Sequence, residues 1–175
     1  MMKALAILAP ALLLAVLGPL PAAPPEALSN AGFEADADQN GVPDGWSRYV
    51  SSFGHADLAL DRQVKSEGQA ALRVQIGEKT RCAVSQLFSV AQPGTYTFSC
   101  RVRMPSPATT VTQLQIEWFQ TVDWPRRIRL VASAAPSAAL EDAADWTEVA
   151  ATGSKPAAAD LALVAIIVGN GQTPP

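Results

Sequence analysis

The sequence predicts an all-β domain built as an antiparallel β-sandwich or jelly roll. Beyond the first two dozen residues, the chain divides into short runs of about five to ten β-favouring residues. Turn-forming Pro and Gly residues separate these runs, and no long stretch there has the 3.6-residue period of an amphipathic helix. Many short strands separated by turns are typical of antiparallel sandwiches and jelly rolls.

Nine runs are predicted as strands. Each is either rich in β-branched, aromatic and aliphatic residues or alternates such residues with polar ones. In chain order they are Trp46–Phe53, Ala56–Leu60, Ala70–Ile76, Ala83–Val90, Thr95–Met104, Thr110–Phe119, Ile128–Ala132, Trp146–Ala150 and Leu161–Val168. The clearest breaks between them are Pro93-Gly94, Pro105-Ser-Pro107, Gly153 and Gly169-Asn-Gly171. The Ala-rich stretch from Ala134 to Ala144 is compatible with a short helix or with a surface loop.

Two of these runs have one apolar and one polar face. In Thr95–Met104, every second residue from Tyr96 onward is apolar, and Arg101 and Arg103 lie among the polar residues between them. In Thr110–Phe119, three apolar side chains alternate with four outward ones: Leu114, Ile116 and Trp118 with Gln113, Gln115, Glu117 and Phe119. Alternate side chains of a strand point to opposite faces, so both runs are predicted to pack on one side only.

The first 23 residues are predicted to be a secretory signal peptide, which leaves residues 24–175 as one domain. A positive start at Lys3 precedes an apolar run from Ala4 to Leu17, and a small-residue segment rich in Pro follows. The apolar run is shorter than the ~20 residues that a membrane-spanning helix needs. We therefore expect a secreted, periplasmic or cell-surface protein with no membrane span after signal cleavage.

The charge of the mature domain excludes some classes of partner. Without Lys3, 12 Lys and Arg residues stand against 16 Asp and Glu residues, a formal charge of −4. A mildly acidic exported domain is a poor candidate for binding nucleic acid or anionic membranes.

Two cysteines, Cys82 and Cys100, allow two interpretations. Export permits a disulfide, which would close a loop of about 18 residues and stabilise the fold by ~3 kcal/mol. The alternative is a pair of buried free thiols.

An oxygen-rich loop follows the signal peptide closely. Counted from Asp36, side-chain oxygens fall at positions one, three, five and nine, on Asp36, Asp38, Asn40 and Asp44. Gly41 occupies position six, and the Val42 carbonyl is available at position seven. This is the spacing of a calcium loop, except that Ser47 replaces the bidentate Glu of position twelve, so another acid such as Glu34 would have to complete the shell. The alternative is a turn that needs no ion.

Five segments in order resemble a known class of secreted module. They are Asn30-Ala-Gly-Phe33-Glu34, Pro43-Asp-Gly-Trp46, Ser66-Glu-Gly-Gln-Ala-Ala-Leu-Arg-Val74, Val90-Ala-Gln-Pro-Gly-Thr-Tyr96 and Asp145-Trp-Thr-Glu-Val149. Together they resemble the carbohydrate-binding modules associated with cellulases and xylanases (families four, nine and twenty-two), which have a galactose-binding-like jelly roll. The resemblance covers residues 28 to 171 and implies a non-catalytic module that binds polysaccharide or oligosaccharide and often holds a structural calcium.

The sequence departs from that family at its C-terminal end. The family closes with a further strand, whereas here Gly169-Asn-Gly171 is followed only by Gln172-Thr-Pro-Pro175. Proline has no N–H group and cannot continue a ladder. We therefore expect that the final strand is lacking, or that the domain closes differently, and that a missing strand leaves an apolar edge beside Leu161–Val168.

The candidate sugar contacts are polar side chains with an aromatic platform nearby, since pyranose rings present both C–H faces and hydroxyls. Arg101, Arg103, Gln113, Gln115, Glu117 and Phe119 are expected together on one polar sheet face, and Trp124 and Tyr49 are further platforms. An ordinary solvated sheet face is the alternative.

A catalytic role finds little support in the sequence. His55 is the single histidine and is expected at the surface, and the sequence contains no nucleophile elbow or phosphate loop. An adhesion or protein-interaction sandwich remains the second hypothesis, and a β-sandwich hydrolase or lyase the third.

Overall fold

In a computed structural model, the chain folds as an all-β sandwich. The structure describes residues 28–51, 54–104, 110–122 and 127–170, so the predicted signal peptide lies outside it. Its nine strands are β1 Ser47–Val50, β2 Ala56–Asp61, β3 Ala71–Ile76, β4 Arg81–Ser89, β5 Thr95–Met104, β6 Thr110–Val122, β7 Arg127–Ser133, β8 Ala143–Ser154 and β9 Leu161–Asn170. Each overlaps one of the nine predicted runs, and the predicted fold class is confirmed.

The Ala-rich stretch between β7 and β8 is a loop rather than a helix. The hydroxyl of Ser137 accepts a hydrogen bond from the Leu114 N–H at 2.9 Å, and Thr112 and Leu140 exchange two backbone hydrogen bonds of 2.9 Å. These contacts tie the stretch to β6 in an extended form. Among the described residues there is no helix long and apolar enough to cross a membrane.

One layer of the sandwich is a five-stranded antiparallel sheet with the order β1-β4-β9-β6-β7. β9 lies at its centre and pairs along its length with β4 on one side and β6 on the other. The expectation of an apolar edge beside Leu161–Val168 is therefore wrong, because both edges of this strand are already hydrogen-bonded.

The other layer consists of two separate antiparallel pairs, β2 with β3 and β5 with β8, and we call it the split layer. The core lies between this layer and the five-stranded sheet, whose inward side chains Leu114, Ile116 and Trp118 are at most 1% exposed. The Trp118 ring meets the Tyr96 ring of β5 edge-on, with 5.5 Å between the centroids. This contact crosses the sandwich and confirms that Trp118 faces the core.

The N-terminal Asn-x-Gly-Phe-Glu and Pro-x-Gly-Trp segments close one end of the sandwich. The Asn30 side chain accepts hydrogen bonds from the N–H groups of Glu34 and Ala35 and donates to the carbonyl oxygens of Ala35 and Asp44. The Trp46 indole N–H donates to the Asn30 carbonyl oxygen at 3.2 Å, and the Phe33 ring packs against it with centroids 4.9 Å apart. These residues act structurally, since their polar groups are engaged with one another.

Candidate functional site

The strand register defines the side of the five-stranded sheet that faces away from the core, which we call the outer face. Residues directly opposite in antiparallel strands share a face. One row across the sheet runs Tyr49, Ala83, Ile167 and Gln113, and the next runs Ser47, Ser85, Ala165 and Gln115. The following rows run Leu87, Leu163, Glu117 and Ser133, and then Ser89, Leu161, Phe119 and Leu130. The structure therefore brings Gln115, Glu117 and Phe119 together on this face, with Tyr49 across from them.

A polar pair lies near the middle of the outer face. The Gln115 side-chain amide donates to a Glu117 carboxylate oxygen at 2.9 Å, and both residues are half-buried between the neighbouring strands. Beside Gln115 the side chains of Ala165 and Ser85 are small, whereas Leu163 and Leu87 lie beside Glu117. In the row of Gln115, β9 and β4 therefore form a shallow floor roughly 10 Å wide, at about 4.8 Å per strand. The amide and carboxylate together offer donors and acceptors to a ligand lying on that floor.

Apolar side chains flank this polar pair. Tyr49 on the edge strand β1 is 62% exposed, and Leu130, which pairs with Phe119, is 51% exposed. Leu87 and Ile128 on the same face are also exposed. Phe119 itself is half-buried, so its ring is less available for stacking than that of Tyr49.

The two arginines expected on this same face lie elsewhere. Arg101 and Arg103 belong to β5 in the split layer, where they point away from the core on the opposite surface of the sandwich. The prediction of one shared polar face was wrong because both runs have the same period-two pattern, which identifies an outer face but not the sheet to which it belongs. Trp124 lies outside the described residues.

The acidic loop brings three carboxylates together. Oxygens of Asp36, Asp38 and Asp44 lie within 4.8 Å of one another. Both Asp36 oxygens also accept backbone hydrogen bonds, from the N–H groups of Asn40 at 3.1 Å and Gly41 at 3.0 Å. Gly41 has a φ of +82°, and an added Cβ would collide with the Leu58 carbonyl oxygen of β2. The loop thus has a folded conformation that its own hydrogen bonds define.

The donor set of this loop suits a hard cation but is small. Ca²⁺ prefers oxygen ligands, carboxylates among them, and takes six to eight oxygens in all. The Asn40 side-chain oxygen accepts from the Val42 N–H at 2.7 Å. The Glu34 carboxylate, suggested above as an additional ligand, accepts instead from the Gln69 N–H at 2.9 and 3.1 Å. The Val42 carbonyl oxygen and water would have to complete the shell of an ion held by the three aspartates.

Gly68 of the Ser-Glu-Gly-Gln segment is required by its backbone conformation and by its close contact with Glu34. It has a φ of +66°, and an added Cβ would collide with the Glu34 carboxylate. The segment therefore serves to join the turn before β3 to the N-terminal loop through Glu34.

The single histidine and the two cysteines lie away from the outer-face pair and the acidic loop. His55 is exposed, and its Nε2 lies 3.1 Å from an Asp57 carboxylate oxygen at the surface, as the sequence predicts. Cys82 and Cys100 are free thiols, which decides between the two interpretations of the cysteines. Burial raises the pKa of both thiols, that of Cys100 to about 11, so neither is a thiolate near neutral pH.

Taken together, the two-layer antiparallel topology and the open outer face define a β-sandwich of the kind found in carbohydrate-binding modules. A solved carbohydrate-binding module of the β-sandwich superfamily superposes with a TM-score of 0.51 at 17% identity, over 75% of this chain and 53% of that one. The expected resemblance in fold is confirmed.

A second solved structure shares the fold within a much longer protein. The enzymatically active domain of tailspike protein 4 from bacteriophage CBA120 has a TM-score of 0.60 at 14% identity, over 82% of this chain and 19% of that one. This chain thus spans about half of the carbohydrate-binding structure and about a fifth of the tailspike domain. No family model and no curated protein matches the sequence.

Proposed function

We propose that this protein is a non-catalytic carbohydrate-binding module that holds a polysaccharide or oligosaccharide on the outer face. The observation that carries the proposal is the hydrogen-bonded Gln115–Glu117 pair, which borders a floor of small side chains on the same outer face as the exposed Tyr49. The carbohydrate-binding module with the same fold supports it.

The chemistry of the outer face matches that of a sugar chain. Sugar hydroxyls both donate and accept hydrogen bonds, and the Gln115–Glu117 pair supplies an amide and a carboxylate that can satisfy neighbouring hydroxyls together. The Tyr49 ring supplies a flat apolar surface for the C–H face of a pyranose ring. An open sheet face suits an extended chain better than a closed pocket would.

Affinity electrophoresis in gels that contain xylan, β-glucan or pectin tests this proposal. The wild type should be retarded by at least one of the glycans. Glu117→Ala should weaken binding by about tenfold or more, since a hydrogen bond to a charged group contributes ~1.5–3 kcal/mol. Tyr49→Ala should weaken it as well. Glu148→Ala, which removes an exposed carboxylate from β8 in the split layer, is the matched control and should bind as the wild type does.

Two results would refute the proposal in different ways. Unchanged migration in every glycan would favour the alternative of a protein-interaction face, for which the exposed Leu87, Ile128 and Leu130 are suited. Release of reducing or unsaturated sugar from a glycan would instead indicate a hydrolase or lyase.

We also propose that the Asp36, Asp38 and Asp44 loop binds Ca²⁺ as a structural ion of modest affinity. The three clustered carboxylates support this, and the small donor set argues for weak binding. Saturating calcium should raise the melting temperature, because a ligand at 100 times its Kd stabilises the folded state by ~2.7 kcal/mol. Asp38→Asn should abolish the shift and Asp145→Asn, at an exposed position of β8, should keep it. If neither calcium nor a chelator changes the melting temperature of the wild type, the proposal of a calcium site is refuted.

Finally, we propose that the protein acts outside the cytoplasm, as the signal-peptide pattern of residues 1–23 implies. Expression of the full sequence in a bacterial host should yield a product whose N-terminus, measured by mass spectrometry, lies beyond residue 20. An intact Met1 on protein recovered from the cytoplasm alone would contradict export.

A further inference from the structure

The split layer contains a groove between β3 and β5, which we call the interstrand groove. It has a volume of about 670 Å³ and is lined by every residue of β3 from Ala71 to Ile76 and by every residue of β5 from Ser99 to Met104. Side chains of a strand alternate between the two faces. A wall made of consecutive residues must therefore be the main-chain edge of the strand itself, so two strand edges face each other across the groove.

Neither of these edges has a strand partner within the described residues. β3 pairs only with β2, and β5 pairs only with β8. Each edge presents backbone N–H and C=O groups, which are strong hydrogen-bonding groups and need partners when they are buried.

The floor of the groove is part of the hydrophobic core. Ile166 and Val168 of β9 line it from below. The inward side chains of the two walls, among them Leu72, Val74 and Val102, are only partly buried against the core. An occupant with apolar side chains on its inner face would remove this apolar surface from water, which is favourable.

We propose that the interstrand groove binds an extended segment of a partner protein as an added β-strand. The segment would hydrogen-bond to β3 on one side and to β5 on the other, and join the split layer into one continuous sheet. Strand addition is a recognised mode of peptide binding, in which main-chain hydrogen bonds provide affinity and alternate side chains provide specificity. The proposal concerns a different surface from the outer face and does not depend on the sugar-binding proposal.

The charges at the mouth of the groove specify the side chains of that segment. Arg73 of β3 and Arg101 and Arg103 of β5 point away from the core on either side of the opening. No ion pair within 4 Å joins these three arginines to a described carboxylate. Glu148 lies opposite Arg101 on the far side of β5 from the groove, and Glu34 and Glu67 also line the groove. Opposite charges on neighbouring strands are favourable and like charges unfavourable. The segment should therefore alternate apolar residues, facing inward, with Asp or Glu, facing outward.

Residues 171–175 of this chain do not have that pattern. Gly171-Gln-Thr-Pro-Pro175 contains no acidic residue and no large apolar residue, and its prolines lack the N–H that a ladder needs. Residues 171–175 therefore do not supply the acidic segment that the groove is proposed to bind.

Fluorescence anisotropy with labelled synthetic peptides tests the proposal on the intact protein. An eight-residue peptide that alternates Val and Glu should bind with a measurable Kd. The same peptide with Lys in place of Glu should bind at least tenfold more weakly, because it places like charges beside the arginines. A Val/Glu peptide with a central Pro should also bind at least tenfold more weakly, because it cannot complete the ladder.

Charge reversal on the protein gives a matched pair of variants. The double variant Arg101→Glu with Arg103→Glu should no longer bind the Val/Glu peptide measurably and should bind the Val/Lys peptide more tightly than the Val/Glu peptide. The double variant Arg127→Glu with Arg129→Glu changes two alternate arginines on β7 of the other layer and should bind as the wild type does. Circular dichroism spectra should show that both variants remain folded.

Hydrogen exchange identifies the site of binding. Amides of β3 and β5 should gain protection when the Val/Glu peptide is present, and those of the edge strands β1 and β7 should not. The proposal is overturned if no peptide binds at 1 mM, or if the two charge forms bind equally. It is also overturned if the free protein already protects these amides as a dimer, or if an acidic oligosaccharide displaces the peptide and protects no amide.

Discussion

The two layers of the sandwich use similar residues but bury them differently. In the five-stranded sheet, inward side chains such as Leu114 and Val164 are at most 3% exposed. In the split layer, inward side chains beside the open edges, such as Leu72, Val74 and Cys100, are only partly buried, whereas Phe98 and Val149 are buried. The difference follows from topology, since β4, β6 and β9 have strands on both sides while β3 and β5 have a strand on one side only.

This contrast shows that an alternating apolar pattern indicates a core-facing side but does not guarantee its burial. Beside an open strand edge, part of the inward apolar surface stays exposed even where the pattern is the same. The layer that lacks them keeps apolar surface near water, and that is where the structure offers room for an added strand.

The largest expected effect comes from the same substitution made in both layers. Leu114 is fully buried, so Leu114→Ala should reduce the free energy of unfolding by about 3–5 kcal/mol, which combines lost transfer energy with the cavity left behind. Leu72 lines the interstrand groove and already lacks neighbours on one side, so Leu72→Ala should cost only about 1–2 kcal/mol. Urea unfolding of both variants measures the difference.

Equal losses for the two variants would mean that the interstrand groove is closed in solution. The comparison between the layers would then be wrong, and the strand-addition proposal would lose its basis.

A smaller difference in the free energy of unfolding is expected when a glutamine is replaced by leucine on each of the two faces of the five-stranded sheet. Gln86 is 5% exposed on the inward face. Its side chain accepts from the Ser29 N–H and donates to the carbonyl oxygens of Ser29 and Gly45. Gln86→Leu would leave these backbone groups without that partner and should cost about 2 kcal/mol, within the ~1–3 kcal/mol expected for unsatisfied buried groups.

Gln113 on the outer face provides the control for Gln86. It is half-buried at the surface, and Gln113→Leu should change the free energy of unfolding by less than about 0.5 kcal/mol. A loss at Gln113 as large as that at Gln86 would show that the outer face is covered rather than open to a ligand.

The sequence predicted the strands well and their assembly poorly, for a physical reason. Local alternation and turn residues located all nine strands, and Thr95–Met104 has the same limits in the structure as in the prediction. Pairing depends on contacts between residues far apart in the chain, which no local pattern contains. Arg101 and Glu117 were therefore placed on one face, although they belong to different layers. The role of Gln86 was missed because a lone glutamine in a strand resembles any exposed one.

The smallest predicted effect concerns the two thiols and the pH dependence of stability. Burial raises the pKa of Cys100 from 9.0 to about 11 and also raises that of Cys82, because a thiolate is poorly solvated inside the sandwich. The unfolded chain therefore loses these protons at lower pH than the folded protein does. The stabilisation is present in full below pH 9 and is lost progressively as the pH rises toward 11.

Urea unfolding of the wild type and of Cys100→Ala at pH 8 and pH 10.5 isolates this effect from that of Lys and Tyr residues, which titrate in both proteins. The wild type should lose more stability over this interval than the variant does. Alkylation by iodoacetamide adds a test of the layers, because Cys100 lines the interstrand groove whereas Cys82 is 0% exposed in the five-stranded sheet. Cys100 should react in the folded protein, faster as the pH rises toward 11, and Cys82 only after unfolding. Equal protection of both thiols would contradict an open groove, since only a covering of the split layer would make Cys100 as inaccessible as Cys82.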